Sequence, residues 1–204
     1  MSTIKKYSTY FILLTLLLGF TFLAPKQTMA SAEEASETPV PAEIQGLNNY
    51  IDTTADGIFS LDEKAALERG YSSEAINTVE QQLAVMNTLS RSKNSVVDSD
   101  NLTVTIFQPT SRTRGVNKYV VHWTGLTERW MDSDRAKAYI RGLETGGDIS
   151  KFVPGWVGSV AKLYSASSIA QAKKAAKPGR GIIMFTQYST TGTTTIPNVW
   201  YGQQ

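Results

Sequence analysis

Twelve residues, Asp52-Thr-Thr-Ala-Asp56-Gly57-Ile58-Phe59-Ser60-Leu61-Asp62-Glu63, hold the densest candidate chemistry in the chain. Against the calcium-loop template they place Asp at positions 1 and 5, Gly at 6, an apolar residue at 8, Ser at 9 and Glu at 12. A calcium ion would take oxygens from Asp52, Thr54, Asp56, the Ile58 carbonyl, Ser60 and both carboxylate oxygens of Glu63. Position 3 is Thr54 rather than Asp or Asn, which leaves three carboxylates in the set. A second reading needs no metal. Ala55-Asp56-Gly57 between Tyr50-Ile51 and Ile58-Phe59 matches a tight hairpin, with Gly supplying positive φ. Ser60-Leu-Asp-Glu63 is then a capping box for the next helix. The capping box accounts for the two residues most diagnostic of calcium. Hairpin plus cap is therefore the main expectation, and calcium the minority one.

Other candidate groups carry less. His122 is the single histidine, and in Tyr119-Val-Val-His-Trp-Thr124 it falls on the strand face opposite Tyr119, Val121 and Trp123. A catalytic His needs a nucleophile or carboxylate within hydrogen-bond reach. With no Cys and no Gly-x-Ser-x-Gly, hydrolase chemistry has no nucleophile to build on. One His and no Cys also leave zinc without a ligand set. Asp132 and Asp134 diverge at a helix start, where capping is the better role. Gly179-Arg-Gly181 is too short for a phosphate loop and precedes a strand. The expectation is a non-enzyme, with no catalytic, cofactor-binding or metal residue assigned.

The elements that must position these residues alternate between two periods. Glu43 to Tyr50 can form a short helix ahead of the hairpin. Leu61 to Arg69 reads as a helix ended by Gly70. A second starts at Ser72 or Ser73 and runs to about Leu89, with Ile76, Val79, Leu83 and Met86 on one face. After a polar break at 90–95, Leu102 to Phe107 and Tyr119 to Thr124 read as two strands, antiparallel through a basic turn at Ser111-Arg-Thr-Arg-Gly115. Asp132 or Ser133 caps a helix through Leu143. Ile149 to Ala176 is a longer amphipathic segment, and Gly181 to Thr186 a third strand. The tail reads as a loop and a short edge strand. The fold class is α+β: a small mixed domain of short antiparallel strands and about four helices.

Charge divides the chain. From 33 to 110 there are 4 Lys/Arg against 13 Asp/Glu, a net of −9; from 111 to 204 there are 13 against 5, a net of +8. Such asymmetry suggests either that the halves pair or that the basic half meets an anionic surface. At the start, Lys5-Lys6, the apolar run Phe11–Ala24 and small residues around Ala30 and Ala32 form a secretory signal. The interrupting Pro25-Lys26 argues against a membrane span, and the lack of Cys excludes a lipoprotein anchor. The expected organisation is a signal peptide at 1–32, a flexible acidic linker at 33–42, an acidic hairpin plus two-helix region at 43–95 and a basic α+β region at 96–204. An exported chain without disulfides must be held by apolar burial. Export also makes nucleic acid an unsuitable partner.

Within Asp148 to Lys177, Trp156, Val157, Val160, Leu163 and Tyr164 form one face and Lys151, Lys162, Lys173, Lys174 and Lys177 supply charge. That pattern suits an anionic membrane interface, or a helix that packs inward with its lysines in water. Tyr50-Ile-Asp-Thr-Thr-Ala-Asp56-Gly57-Ile-Phe59, Ala66-Leu-Glu-Arg-Gly70-Tyr-Ser, Val85-Met-Asn87, His122-Trp123 and Gly179-Arg-Gly-Ile-Ile-Met-Phe185-Thr together resemble an uncharacterised family of small secreted proteins of Bacillus-like Gram-positive bacteria. The resemblance implies strand-turn-strand for the Asp52 stretch and a comparison with bacteriocin-like peptides, though Ser165-Ala-Ser-Ser168 and Lys173-Lys174 make this chain more polar there. It carries over no site residue. The expected function is a secreted, non-enzymatic protein acting at bacterial surfaces. It would be a bacteriocin-like or antimicrobial precursor whose acidic part is cut from a basic effector within 90–115, with an anionic membrane or cell wall as partner. The alternatives are a passive extracellular binding or matrix module held by complementary charge, and a calcium-binding secreted protein.

Overall fold

The computed structural model of the chain describes residues 40–110, 114–152, 163–191 and 194–204. The signal segment, most of the 33–42 linker, the Ser111-Arg-Thr turn and the Trp156–Val160 face lie outside the described residues.

The described residues open on two 3-10 turns, Ala42–Ile44 and Leu47–Tyr50, where a short helix was expected over 43–50. Gly46 between them sits at φ 88°, which breaks any continuous helix. The Asp52 stretch then folds as the hairpin. Strands β1 (Ile51–Thr53) and β2 (Phe59–Leu61) pair antiparallel, with Asp52 opposite Ser60. Gly57 turns the chain at φ 73°, and its N–H donates to the Thr54 carbonyl at 2.9 Å. The capping box does not form. Because Ser60 is committed to the β1 ladder, the cap moves two residues on: Asp62 Oδ1 accepts from the Ala65 N–H at 2.9 Å and starts α1 (Glu63–Glu68). Glu63 turns instead toward Glu80 of the next helix, and that shared hydrogen bond, followed by burial, raises the Glu80 carboxyl above its ordinary value.

Helix α2 (Ser73–Ser90) follows its sequence pattern closely. Ser72 caps it, and Ile76, Val79, Leu83 and Met86 are buried. Asn87 fastens β2 to this helix by accepting from the Phe59 N–H and donating to the Phe59 carbonyl, both at 2.8 Å.

Six strands then form an antiparallel sheet in the order β3-β4-β5-β6-β7-β8. They are β3 (Ser95–Asp98), β4 (Thr103–Phe107), β5 (Lys118–His122), β6 (Thr127–Asp132), β7 (Gly181–Thr191) and β8 (Thr194–Gln203). Between β6 and β7 run α3 (Ser133–Thr145), a 3-10 turn (Ser150–Phe152) and α4 (Ala166–Ala176). The architecture is α+β. The strand pairing places Val104, Tyr119, Val121, Arg129, Met131, Ile182, Met184 and Tyr201 on one face, and Val120, His122, Glu128, Trp130, Ile183, Phe185 and Trp200 on the other.

Two apolar cores occupy the first face. In one, Ile76, Val79, Leu83 and Met86 of α2 pack with Leu102, Val104, Val121 and Trp123, and the Ile51 and Phe59 hairpin residues complete it. In the other, Tyr139, Ile140 and Leu143 of α3 and Ala172 and Ala175 of α4 pack with Met131, Ile182, Met184 and Tyr201. The expected boundary at 95/96 thus falls at the first residue of β3, and helix α2 of the acidic region shares its core with the sheet. On the second face Leu126, Ile183 and Phe185 cluster beneath Trp130 and Trp200 with no helical residue among them.

Candidate functional site: a basic helical layer and the cleft beside it

Helices α3 and α4 are amphipathic in the inward-packing sense. Ala136, Tyr139, Ile140 and Leu143 of α3 are buried while Lys137 and Arg141 are exposed. Ala172 and Ala175 of α4 are buried while Lys173, Lys174 and the following Lys177 are exposed. Leu163 joins the core and Tyr164 donates from its hydroxyl to the Gly147 carbonyl at 2.7 Å. The apolar side of the described part of the 149–176 segment is therefore spent on the protein's own core. No described helix is long and apolar enough to cross a membrane.

What reaches solvent here is charge. Lys137, Arg141, Lys151, Lys173, Lys174, Lys177 and Arg180 are all exposed. At the other end of the molecule Asp52, Asp56, Asp62, Glu63, Glu68 and Glu74 are exposed around the hairpin, α1 and the start of α2. The ion pairs among the described residues are Lys64–Glu68, His122–Glu128 and Lys173–Glu144. Each lies within one half of the chain. The acidic and basic ends are joined by the α2 core rather than by ion pairs among these residues.

Between the two cores a cleft of about 860 Å³ opens on the helical face of the sheet. Its floor carries Ile106 of β4 and Arg129 of β6, and one wall carries Asp134, Arg135 and Ala138 of α3. Arg129 is only 6% exposed. Its Nη2 donates to Gln108 Oε1 at 3.4 Å, its guanidinium lies 5.7 Å from the Tyr119 ring centroid, and Arg135 Nη1 donates to the same Gln108 oxygen. Burial, and then the neighbouring Arg135 charge, pull the Arg129 guanidinium below its ordinary value. It remains a cation at neutral pH all the same.

Asp132 closes the inner end of the cleft and is 1% exposed. Its Oδ1 caps α3 by accepting from the Arg135 N–H at 2.9 Å, and its Oδ2 accepts from Asn117 Nδ2 at 2.5 Å. Asn117 returns a contact by accepting from the Asp132 N–H at 2.8 Å. The capping role expected of Asp132 holds, and Asp134 stands exposed on the first turn.

On the opposite face His122 has found a carboxylate that its sequence neighbours do not reveal. His122 Nε2 lies 2.9 Å from Glu128 Oε1, and Trp130 Nε1 donates to Glu128 Oε2 at 2.7 Å. Lys118 sits 4.1 Å from the Trp130 ring centroid. Burial pushes the Glu128 carboxyl up. The hydrogen bonds from His122 and Trp130, with the His122 and Lys118 charges, outweigh it and leave the carboxyl below its ordinary value. Both Glu128 oxygens are thus used in pinning two rings, an arrangement that fixes side chains on the sheet surface.

The Asp52–Glu63 loop is built by local bonds. Thr54 Oγ1 accepts from the Ile58 N–H at 3.1 Å, Asp52 sits in β1, and Glu63 faces α2. Among the described residues no three His, Asp or Glu side chains gather in a way that could hold a metal ion. Sequence reading missed the cleft pair because Arg129 and Arg135 look like ordinary surface charge. The one available signal was Arg129 alternating with Trp130 and Met131 in a segment of strand length. No family model, curated protein or solved structure matches the chain.

Proposed function

We propose that this chain is a secreted, non-enzymatic protein that acts at bacterial surfaces, bacteriocin-like in role, with its basic C-terminal part turned toward an anionic membrane or cell wall. The observation that carries the reading is the exposed cationic layer of α3 and α4, which is not cross-paired with the acidic end among the described residues. Cations spread over a surface attract polyanions at long range and lose that attraction with salt. The signal-like start of the sequence supports export, and resemblance to secreted proteins of Gram-positive bacteria supports the setting.

The core shared between α2 and the sheet favours one refinement: the intact chain, rather than a released basic fragment, is the acting species. In that form the protein can equally serve as an extracellular binding module, the second reading, which has the same surface but no killing activity.

The test is co-sedimentation of the full chain with Gram-positive cells, purified walls and vesicles rich in anionic lipid, together with growth inhibition. Binding that falls between 0.05 and 0.5 M salt (about threefold in screening length) and drops on Lys137→Glu, Lys174→Glu and Lys177→Glu is expected. Binding without inhibition selects the second reading. Salt-independent retention, or no retention, ends the surface reading.

A further inference from the structure

The cleft between the cores is built around a charge excess that the surface reading does not use. Arg129 and Arg135 converge on one neutral acceptor, Gln108 Oε1. Among the described residues neither guanidinium has a carboxylate within ion-pair distance. Lys151 adds a third cation where the cleft opens, above the Phe152 ring at 5.0 Å. Two carboxylates also face the cleft. Asp132 has its oxygens in the α3 cap and the Asn117 bond, and Asp134 lies exposed at the rim. Among the described residues this Arg129 guanidinium, buried to 6% exposure, meets a shared amide oxygen and a tyrosine ring, which engage a minority of its five N–H donors.

We propose that this cleft binds a phosphorylated ligand, with the phosphoryl group held between Arg129 and Arg135 and met by Lys151 from the rim. A phosphoryl group carries close to two negative charges and three acceptor oxygens. It matches two forked guanidiniums and an ammonium better than a carboxylate, which has two oxygens and one charge. The N-terminal end of α3, thirteen residues long, adds its positive dipole end to the same wall. The cleft volume exceeds what a phosphate ion needs and falls in the range that holds small organic ligands. Ile106, Phe107 and Phe152 offer apolar surface for the remainder of the molecule. The ligand class is thus a phosphate ester with a compact organic body, whether free, on a lipid headgroup or at the end of a polymer.

This site uses residues separate from Lys137, Lys174 and Lys177, so it can fail while the surface reading stands. The full chain is titrated by calorimetry and by phosphorus NMR with inorganic phosphate, glycerol 3-phosphate and phosphatidic acid vesicles. Saturable binding of glycerol 3-phosphate is expected, weakened roughly tenfold or more by Arg135→Gln and by Arg129→Lys and unchanged by Lys174→Gln. Arg135 is half-buried on a helix wall, so its variant retains the fold and keeps the test independent of any damage from Arg129→Lys; circular dichroism checks both. Equal affinity for phosphate and its glycerol ester points to the free ion as ligand, and tighter ester binding to the ester. No saturation by either up to about 10 mM, or binding that survives both arginine changes, overturns the site. So does binding to vesicles alone that is lost with the surface lysines.

Discussion

Removing residues up to 95, at the boundary between the acidic and basic regions, should unfold the remainder. Helix α2 supplies Ile76, Val79, Leu83 and Met86 to a core whose other wall is Val104 and Val121 of the sheet with Leu102 and Trp123 from the adjoining turns, with exposures between 0 and 9%. Without α2 and the hairpin those four residues face water. At about 1.5–3 kcal/mol for each large apolar side chain, the loss is about 6–12 kcal/mol as an upper figure. A domain of this size has about 5–15 kcal/mol in total. The 96–204 fragment is therefore expected to show no cooperative urea transition and little near-ultraviolet circular dichroism, while the full chain shows both. Leu83→Ala probes the same contact without a deletion and should lower the full chain's stability by about 2–5 kcal/mol. A fragment that unfolds cooperatively within about 1 kcal/mol of the full chain would refute the shared-core argument and restore release of a basic effector.

The Glu128 carboxyl is held below its ordinary value of 4.5, so its contribution is fully present above that pH and lost as pH falls through the depressed folded value. Glu128→Gln should cost about 1–3 kcal/mol at pH 7, with the gap in melting temperature closing toward pH 3; a constant gap contradicts the assignment. The Tyr139 hydroxyl lies 2.8 Å from that of Tyr201, and burial first, then the Tyr201 charge, raises the Tyr139 phenol well above its ordinary value. That contribution is present below pH 10 and lost above it. The phenolate absorbance of this pair should emerge only with unfolding, and Tyr139→Phe should cost about 0.5–1.5 kcal/mol. Added calcium should leave the melting temperature unchanged and Asp56→Ala should shift stability by less than about 0.5 kcal/mol, since Asp56 is an exposed turn residue; calorimetric heat with calcium would reverse this. Finally, salt should not lower the melting temperature. A clear fall between 0.05 and 0.5 M, about a threefold change in screening length, would mean that complementary charge does hold the halves.

The legible parts of the fold are those where polarity tracks burial. Ile76, Val79, Leu83 and Met86 recur at helical spacing and all four are buried, so α2 could be read with its cap. Strands β4, β5 and β7 carry the β-branched or apolar runs that pleated surfaces favour. Strand β6 hid because Thr127-Glu-Arg-Trp-Met-Asp132 buries Arg129 and half-buries Glu128, so polar type no longer marks the solvent side. Strand β3 is four residues between polar segments, set by the Asp98 turn, where Asp98 Oδ1 accepts from the Asp100 and Asn101 N–H groups. At the first helix two capping residues stand two apart, and only the β1–β2 register decides for Asp62. The cleft was illegible for a different reason. Gln108, Arg129, Arg135 and Lys151 come from a strand connection, a strand, a helix and a turn, and nothing in their spacing foretells that they meet.

Charge segregation in this molecule carries a cost that bears on its use. Gathering seven exposed cations on the α3–α4 side, with Glu144 engaging Lys173, leaves like charges repelling across a small area, and the carboxylates around α1 do the same. Interleaving the two signs would relieve both ends. The apolar core beneath α2 is what makes the segregated arrangement tolerable, because it joins the ends without calling on their charges. The proposed surface and the proposed cleft site therefore share one electrostatic basis: a surface with Glu144 as its one ion-paired carboxylate among the described residues, and beside it a buried Arg129 with a half-buried Arg135.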